Sequence, residues 1–281
     1  MTENGSFRAA CVQMRSGLDR QRNTSDAIAL IKEAAEAGAS FIATPEMTNV
    51  IDRKGSRLLS DLPSENDLTE IKAFSEAAQS NHVWLLAGSF AVKTEPSRAA
   101  NRSFLFGPDG NIAARYDKLN MFDVDLPNGE SWKESAIYAP GQKAVVAKTS
   151  IASFGLSICY DVRFPQQYRA MAQAGADVLC VPAAFTRQTG EAHWKTLLRA
   201  RAIENGAFVI APAQGGVHED GRETYGHSLI IGPWGEILAE APDDAPGLVF
   251  ADINPAAAAE ARRRIPNLAL EHSREVSIVS L

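Results

Sequence analysis

The sequence predicts an α/β fold, a four-layer α-β-β-α sandwich with a pseudo-twofold internal repeat. Buried strand segments alternate with helical segments along the 281 residues, which is typical of α/β proteins. The second half also repeats the first, since residues 36–45 are echoed by residues 173–182 and residues 103–110 by residues 228–235. Each half therefore predicts one sheet with helices on one face, and two such sheets bury their bare faces against each other.

The first half consists of short apolar runs separated by segments with helical apolar spacing. The turn sequence Gly-Pro-Asp-Gly at residues 107–110 indicates a hairpin, because glycine and proline mark tight turns between strands. The polar residues 93–102 predict a loop. We expect strands at residues 7–14, 40–44, 83–90, 103–106 and 112–116, and helices at residues 23–37 and 68–80.

The second half follows the same order. The apolar run at residues 151–158 predicts a buried strand, and Pro165 begins a helix, since proline suits the first helical turn. A last strand is predicted at residues 247–253, with a helix after it. We expect one domain over the whole chain, with the sandwich in residues 1–266. The tail at residues 267–281 is too short to be a domain, so we expect it to lie at a subunit interface or to close an edge of the sandwich.

Composition excludes several kinds of partner. A net charge of −6 at pH 7 argues against nucleic acid and anionic membranes. The three cysteines are widely spaced without a CxxC pair, and the five histidines are scattered. This pattern predicts neither a disulfide framework nor a metal site. Without a signal peptide or an apolar run of membrane-spanning length, we expect a cytoplasmic protein.

Cys159 lies between a predicted strand and a predicted helix, on a sharp turn. Such a turn exposes a nucleophile at the strand end and directs free backbone N–H groups toward the atom under attack. The alternative is a structural cysteine, because free cysteine is among the most buried residue types. Cys11 and Cys180 lie within predicted buried strands, so Cys159 is the candidate nucleophile.

Glu46 follows a buried strand and a proline, and Lys118 ends the first hairpin. Neither residue is diagnostic by itself, because the same patterns are compatible with an exposed loop acid at Glu46 and a surface lysine at Lys118. Together with Cys159 they supply what acyl transfer from an amide requires. The carboxylate takes the thiol proton and passes it to the departing amine. Lys118 and the backbone N–H of Tyr160 are the candidate donors to the oxyanion.

Three ordered motifs resemble the nitrilase superfamily of carbon–nitrogen hydrolases over nearly the whole chain. They are Ala-Thr-Pro-Glu at residues 43–46, Tyr-Asp-Lys-Leu at residues 116–119 and Ser-Ile-Cys-Tyr-Asp-Val-Arg-Phe at residues 157–164. The resemblance implies the sandwich fold, with Glu46 as general base and acid, Lys118 as oxyanion stabiliser and Cys159 as nucleophile. It also implies a second glutamate, matched by Glu134, that bonds Lys118 or positions the hydrolytic water.

Within the superfamily, residues 189–204 and 225–235 resemble the branch that holds omega-amidase and deaminated-glutathione amidase. This resemblance implies a small amide substrate with a carboxylate, held by Arg163 and Thr189 beside Phe185. The guanidinium fork suits carboxylate geometry, although an ion pair between Arg163 and Asp161 is an alternative. Asn-Met-Phe at residues 120–122 departs from a histidine-containing version in eukaryotic relatives, so the exact substrate stays open.

The sequence thus predicts a cysteine-dependent amidase that needs no cofactor, because hydrolysis involves neither redox chemistry nor phosphate transfer. An N-carbamoyl hydrolase or a nitrilase with the same three residues is the nearest alternative. A non-catalytic binding or assembly protein that keeps the fold is an alternative of another class. We also expect a homodimer or a larger even assembly, because apolar helix faces near Trp194 and Leu198 need a partner.

Overall fold

The computed structural model describes residues 5–127, 129–270 and 277–279. The strands of the first half are β1 Phe7–Gln13, β2 Phe41–Ala43, β3 Trp84–Glu95, β4 Arg98–Phe106, β5 Ile112–Asp117, β6 Asp123–Asp125 and β7 Ser131–Lys133. Those of the second half are β8 Val145–Lys148, β9 Ser153–Leu156, β10 Val178–Cys180, β11 Phe208–Ala211, β12 Gly215–Val217, β13 Glu223–Tyr225, β14 Leu229–Ile231, β15 Ile237–Glu240 and β16 Gly247–Ile253. The α-helices are α1 Arg20–Glu36, α2 Gly55–Asp61, α3 Thr69–Asn81, α4 Pro165–Gln173, α5 Arg187–Asn205 and α6 Ala256–Arg264.

Two six-stranded sheets have matching orders, which confirms the predicted repeat. The first runs β16-β1-β2-β3-β4-β5 and the second runs β15-β14-β11-β10-β9-β8. In each sheet three neighbouring strands are parallel, β1-β2-β3 in the first and β9-β10-β11 in the second. Antiparallel strands complete both sides of each sheet. The two halves therefore share one scaffold, but the outer strand β16 of the first sheet comes from the far end of the chain.

The sheets pack face to face through aromatic and aliphatic side chains. The rings of Phe41 on β2 and Phe154 on β9 stack with centroids 4.2 Å apart, and Phe7 on β1 meets Phe154 edge to face at 6.0 Å. These rings belong to one buried cluster that includes residues of both sheets. Stacked aromatic pairs add packing energy beyond the area they bury, so this contact holds the two inner layers together.

The outer faces of the sheets are covered by helices. On β1 the side chains alternate, with Ala9 and Cys11 in the cluster between the sheets and Ala10 and Val12 in a second cluster beneath α1 and α3. This alternation is the two-residue period of a strand buried on both faces. Helices α4 and α5 cover the second sheet through buried residues such as Trp194. The predicted α-β-β-α sandwich is confirmed.

The prediction of a loop at residues 93–102 is wrong. Strand β3 continues to Glu95 and β4 begins at Arg98, so the two form a hairpin with a two-residue tip. The exposed polar side chains are confined to residues 94–97, the tip and the end of β3, whereas the rest of both legs is buried or half-buried, with Asn101 fully buried. The polar residues around the tip led to the prediction of a loop, although the segments on both sides of the tip are paired strands of the sheet.

Helix α1 begins at Arg20, three residues before the predicted start. Asp19 caps it, because its Oδ1 accepts hydrogen bonds from the backbone N–H groups of Gln21 at 2.9 Å and Arg22 at 3.1 Å. The C-terminal helix α6 is held by Arg262, which donates to Ala176 O at 2.6 Å. Much of the predicted interface tail, residues 271–276, 280 and 281, lies outside the described residues. Among the described helices, none combines the length and apolar character that crossing a bilayer requires.

Candidate active site

Glu46 follows β2 and is buried between the two halves of the chain. Its Oε1 accepts hydrogen bonds of 2.9 Å from Lys118 Nζ and from Asn101 Nδ2, and its Oε2 accepts one of 2.9 Å from Ala184 N. Strand β3 approaches this turn closely at Gly88, where a Cβ would overlap the backbone carbonyl oxygens just before Glu46. The carboxylate is therefore fixed by donors from three separate segments of the chain.

Lys118 follows β5 and lies between two carboxylates. Besides Glu46, its Nζ donates to Glu134 Oε1 at 3.0 Å and to Glu134 Oε2 at 2.8 Å. Glu134 also accepts from Asn101 Nδ2 at 3.1 Å and from Phe122 N at 2.6 Å. The lysine side chain is only 2% exposed, and a buried ammonium is tolerated only when opposite charges surround it.

Cys159 lies at the end of the β9 segment, where the chain turns into a short 3-10 helix over Cys159–Arg163 that leads to α4. Its φ is 51°, a left-handed conformation that residues other than glycine seldom adopt and that often occurs at functional sites. The backbone N–H donates to Pro182 O at 2.9 Å, and the thiol and the Glu46 carboxylate lie close enough for each to shift the other's pKa. The sharp turn expected at Cys159 is present.

The charges around the thiol set its protonation state. Burial raises the pKa of Cys159 well above its usual range, and the Glu46 carboxylate raises it further, while Lys118 opposes both. Burial also raises the pKa of Glu46, but the ammonium of Lys118 and the hydrogen bonds to the carboxylate outweigh it and leave that pKa below its usual value. The two carboxylates overcome burial and raise the pKa of Lys118. The resting site therefore holds a thiol, a carboxylate and an ammonium.

Asp161 connects the turn of Cys159 to the segment after Lys118. Its Oδ2 accepts from Tyr116 Oη at 2.6 Å and from Ile158 N at 2.9 Å, and its Oδ1 accepts from Asn120 N at 3.0 Å and from Asn120 Nδ2 at 2.8 Å. Every oxygen of this buried carboxylate is thus engaged by neutral donors. The alternative in which Asp161 pairs with Arg163 is wrong.

A cavity of about 510 Å³ opens over these residues, which is within the range of small-molecule sites. Glu46, Lys118, Glu134 and Cys159 all line it. The other predicted site residues that line it are Tyr160, Phe185 and Thr189. A thiol beside a hydrogen-bonded pair of carboxylate and ammonium on the wall of a cavity can support acyl transfer.

A family model described as carbon-nitrogen hydrolase matches residues 8–263. The chain belongs to the carbon–nitrogen hydrolase family. The resemblance to the nitrilase superfamily is confirmed, and with it the prediction that the protein is a hydrolase of carbon–nitrogen bonds other than peptide bonds.

Relatives of this carbon–nitrogen hydrolase extend over nearly its full length. The chain is 44% identical over 266 residues to the deaminated glutathione amidase of Synechocystis sp. (strain PCC 6803 / GT-S), covering 93% of this chain and 97% of that protein. It is 33% identical over 261 residues to the omega-amidase NIT2 of Bos taurus, with 93% of each chain covered. The crystal structure of the C. elegans NitFhit protein matches with a TM-score of 0.88 at 32% identity, covering 95% of this chain and 65% of that one.

Arg163 is not among the residues that line the cavity of this hydrolase. Its Nη2 donates to His193 Nδ1 at 3.3 Å, and its guanidinium lies 5.5 Å from the ring centre of Phe185 and 6.0 Å from that of Tyr160. Because both rings line the cavity, the guanidinium lies behind an aromatic wall. The role of Arg163 in holding a carboxylate stays a prediction.

Asn101 is the site residue that sequence reasoning missed. It bridges Glu46 and Glu134 through one side-chain nitrogen, on a strand that the sequence predicted to be a loop. Two further residues that line the cavity, Arg53 and Arg222, come from segments without any recognisable motif. The available signal for Asn101 was an asparagine directly after two alanines and shortly before the apolar strand at residues 103–106, since an amide that is buried is normally hydrogen-bonded.

These protonation states predict how Cys159 reacts with iodoacetamide, a small neutral reagent. The alkylation rate of a free cysteine rises about tenfold per pH unit below its pKa of about 8.5, because the thiolate is the nucleophile. Cys159 keeps its proton over that range and passes it to Glu46, which is ionised throughout because its pKa is lowered. We expect the Cys159 alkylation rate, followed by peptide mass spectrometry, to be nearly constant from about pH 6 to about pH 8.5.

Glu46→Gln is the matched control, since it removes the base but keeps an oxygen at the same position. In this variant we expect slow alkylation that rises with pH, as for an unassisted thiol. A tenfold rise per pH unit in the unmodified enzyme would contradict proton transfer to Glu46.

Proposed function

We propose that this carbon–nitrogen hydrolase cleaves the terminal amide of a small carboxylate-bearing acyl substrate through a thioester on Cys159, with release of ammonia from a primary amide. The observation that carries the proposal is the position of Lys118 Nζ, 2.9 Å from Glu46 and 2.8 Å from Glu134 on the wall of the cavity that also holds Cys159. The names of the relatives, deaminated glutathione amidase and omega-amidase, support this substrate class.

In the first step Glu46 takes the proton of the Cys159 thiol while Sγ attacks the amide carbon. The effect of the Glu46 carboxylate on the pKa of this thiol, and the position of both groups on the wall of one cavity, support the assignment. The carbonyl oxygen becomes an oxyanion, stabilised by the Lys118 ammonium and by the backbone N–H of Tyr160. That N–H lies in the first turn of the 3-10 helix, where backbone donors have no intrahelical acceptor.

In the second step the carbon–nitrogen bond breaks and the protonated Glu46 gives its proton to the departing amine. A water molecule then loses a proton to the Glu46 carboxylate and attacks the thioester, which releases the acid and restores the thiol. Glu134 keeps Lys118 in place through both of its oxygens. The reaction balances with water as the sole co-reactant, so it needs no cofactor.

We propose that the acyl portion of the substrate lies against Phe185 and Thr189, with Arg163 beside them as the partner of the acyl carboxylate. Phe185 and Thr189 line the cavity, and the Arg163 guanidinium is 5.5 Å from the Phe185 ring. The Arg163 guanidinium lies beside the Phe185 ring, and its positive charge favours an anionic group on the cavity side of that ring. An acyl group held by its carboxylate at one end and by its amide carbonyl at the other is oriented for attack by Cys159.

The substrate assignment is tested by product analysis with four matched compounds. The purified enzyme is given α-ketoglutaramate, deaminated glutathione, a nitrile and an N-carbamoyl compound, the last two with the same carboxylate. We expect hydrolysis of the two amides, measured as ammonia from the first and free amine from the second. Carbon dioxide with ammonia from the N-carbamoyl compound, or consumption of the nitrile alone, would contradict the amide assignment. A lack of turnover with all four would favour the non-catalytic alternative.

We also propose that the chain acts as a single domain and assembles into a homodimer or a larger even assembly. The apolar helix face near Trp194 and Leu198, on which the prediction from the sequence rested, is buried inside the chain and is not available to a partner. Other large apolar side chains on the described surface support a protein interface; Ile203, Trp234 and Leu238 are 50%, 51% and 40% exposed. The location in the cytoplasm stays a prediction.

A further inference from the structure

Asn101 on β4 contacts both buried carboxylates of the candidate active site with a single nitrogen atom. Its Nδ2 donates to Glu46 Oε1 at 2.9 Å and to Glu134 Oε1 at 3.1 Å. Lys118 Nζ donates to the same two oxygens, at 2.9 Å and 3.0 Å. The two carboxylates are therefore bridged twice, once by a charged donor and once by a neutral one.

The orientation of the Asn101 amide is set by these carboxylates. Turning the amide over would place Oδ1 against both of them, where it would meet two further acceptors instead of offering donors. In the observed orientation Oδ1 is buried and has no hydrogen-bond donor among the described residues. A buried acceptor without a donor costs free energy, and such exceptions are rare. The amide keeps this orientation because its nitrogen is needed by the carboxylates.

The two oxygens of Glu46 differ in how many donors they accept from. Oε1 accepts from Lys118 and from Asn101, which occupies both lone pairs of that oxygen. In the described part of the chain Oε2 accepts only from Ala184 N, at 2.9 Å, so one of its lone pairs is free. The pKa of the Cys159 thiol is raised chiefly by burial and lowered in part by the same N–H. Oε2 is therefore the oxygen on the side of the nucleophile.

The lack of charge on the Asn101 bridge matters as much as its position. Lys118 is a single cation between Glu46 and Glu134, so these three groups keep one net negative charge. This excess allows Glu46 to accept a proton, whereas a second cation at position 101 would neutralise it. With no donor at that position, two carboxylates that share a site would favour the uptake of a proton from water. A neutral donor avoids both outcomes.

Other titratable groups around Glu46 do not replace this contact. Burial raises the pKa values of Cys159 and Tyr138, and the Glu46 carboxylate raises both further. The cavity wall also carries charged residues that donate no hydrogen bond to Glu46 within the described ranges: Asp52, Arg53, Lys133 and Arg222. The neutral side-chain bridge to Glu134 is thus supplied by Asn101.

We propose that Asn101 is a positioning residue of this hydrolase, which holds Glu46 and Glu134 together as an ionised pair and occupies Glu46 Oε1, so that the proton of Cys159 is transferred to Oε2. The proposal rests on the proposed function, because it takes Glu46 as the general base. Asn101 does not line the cavity, so it acts through Glu46 and does not contact the substrate.

The main chain around these residues is held by bonds that do not involve the Asn101 amide. Asn101 lies opposite Ala91 in the pairing of β3 with β4, and its backbone oxygen accepts from Lys118 N at 3.0 Å. The backbone oxygen of Glu46 accepts from Gln214 Nε2 at 3.1 Å. A substitution of the Asn101 side chain therefore tests the bridge to the carboxylates and leaves these backbone contacts in place.

Asn101→Leu removes the neutral donor and keeps a side chain of similar size. The pKa of Glu46 is low despite burial, because of the Lys118 ammonium and of hydrogen bonds that include the one from Asn101. Loss of a donor to the ionised form raises that pKa, so the base is lost at a higher pH. We expect the acid limb of kcat/KM for a primary amide to move upward by about one pH unit. The acid limb of Cys159 alkylation by iodoacetamide should move by the same amount.

The double variant Asn101→Leu/Glu134→Gln separates this effect from a structural one. With one carboxylate neutralised, the acid limb should return toward its original pH, even though kcat/KM stays reduced. Asn205→Ala is the matched control, since Asn205 on α5 is also buried with an unpartnered Oδ1 and does not line the cavity. It should lower the free energy of unfolding without moving either acid limb.

An unchanged acid limb in folded Asn101→Leu, or an equal shift in Asn205→Ala, would overturn the role given to Asn101. Failure of the double variant to restore the acid limb would also contradict it. If the leucine variant does not fold, Asn101→Ala adds no bulk and gives the same comparison. Absence of turnover in the unmodified enzyme would refute the proposed function, whereas the alkylation profiles still decide whether Asn101 controls the ionisation of Glu46.

Discussion

Cys159→Ala is expected to lower kcat for amide hydrolysis by about a million-fold, the loss seen when the nucleophile of a catalytic triad is removed. The oxyanion donors and the cavity remain, but no thioester can form without Sγ. The variant should fold normally, since the alanine keeps the Cβ and removes only a buried sulfur. Steady-state ammonia release from the primary amide measures kcat, and circular dichroism checks the fold.

Cys180→Ala is the control for this prediction. Cys180 is a buried cysteine on β10 and does not line the cavity, so its loss should leave kcat close to that of the unmodified enzyme. Intact-mass spectrometry during slow turnover should show an acyl adduct in both the unmodified enzyme and Cys180→Ala, and none in Cys159→Ala. Turnover by a folded Cys159→Ala enzyme at a near-native rate would exclude Cys159 as the nucleophile.

Lys118→Met is expected to impair both activity and stability. Loss of an oxyanion donor costs about 100- to 1,000-fold in kcat. The substitution also leaves Glu46 and Glu134 buried beside each other without a cation, and breaking a buried ion pair from one side costs about 3–5 kcal/mol. We therefore expect a lower free energy of unfolding in urea as well as a lower kcat.

A second substitution separates the two effects. In Lys118→Met/Glu134→Gln one of the unpaired charges is gone, so part of the lost free energy of unfolding should return. Because the oxyanion donor is still missing, kcat should stay low. Recovery of kcat together with stability would mean that Lys118 acts only by holding the fold, and near-native kcat in the single variant would exclude it from the chemistry.

The sequence predicted those parts of the site that follow strand ends. Glu46, Lys118 and Cys159 each come directly after a segment whose apolar pattern indicates a strand. Strands β2 and β9 belong to the parallel parts of two sheets that pack face to face, and this packing brings the three residues to one region. The repeat between the halves predicted the layered architecture for the same reason, since equal patterns fold into equal sheets. The local pattern of apolar residues was sufficient to predict the position of a residue that is placed by the strand or helix next to it in the sequence.

What the sequence did not predict depends on contacts between distant segments. Asn101 was assigned to a loop because the hairpin tip beside it is polar, although burial of the legs is decided by the neighbouring strands. Arg53, Trp132 and Arg222 meet on the cavity wall from three loops or short strands that share no motif. Such an arrangement forms only when the sheets and loops pack together. The spacing of apolar residues along the chain therefore cannot predict it.

The pairing of β16 with β1 makes the order of synthesis matter for this chain. All seven residues of β1 pair with β16, from Phe7 with Ile253 to Gln13 with Gly247. The first strand to be synthesised therefore has no partner on this side until the last strand has been synthesised. Until then the edge of β1 presents unpaired backbone groups, which recruit other strands and promote aggregation. The nascent first half therefore carries an open sheet edge through most of translation. Chains cut short before residue 247 keep that edge permanently, which makes them natural clients for chaperones and proteases.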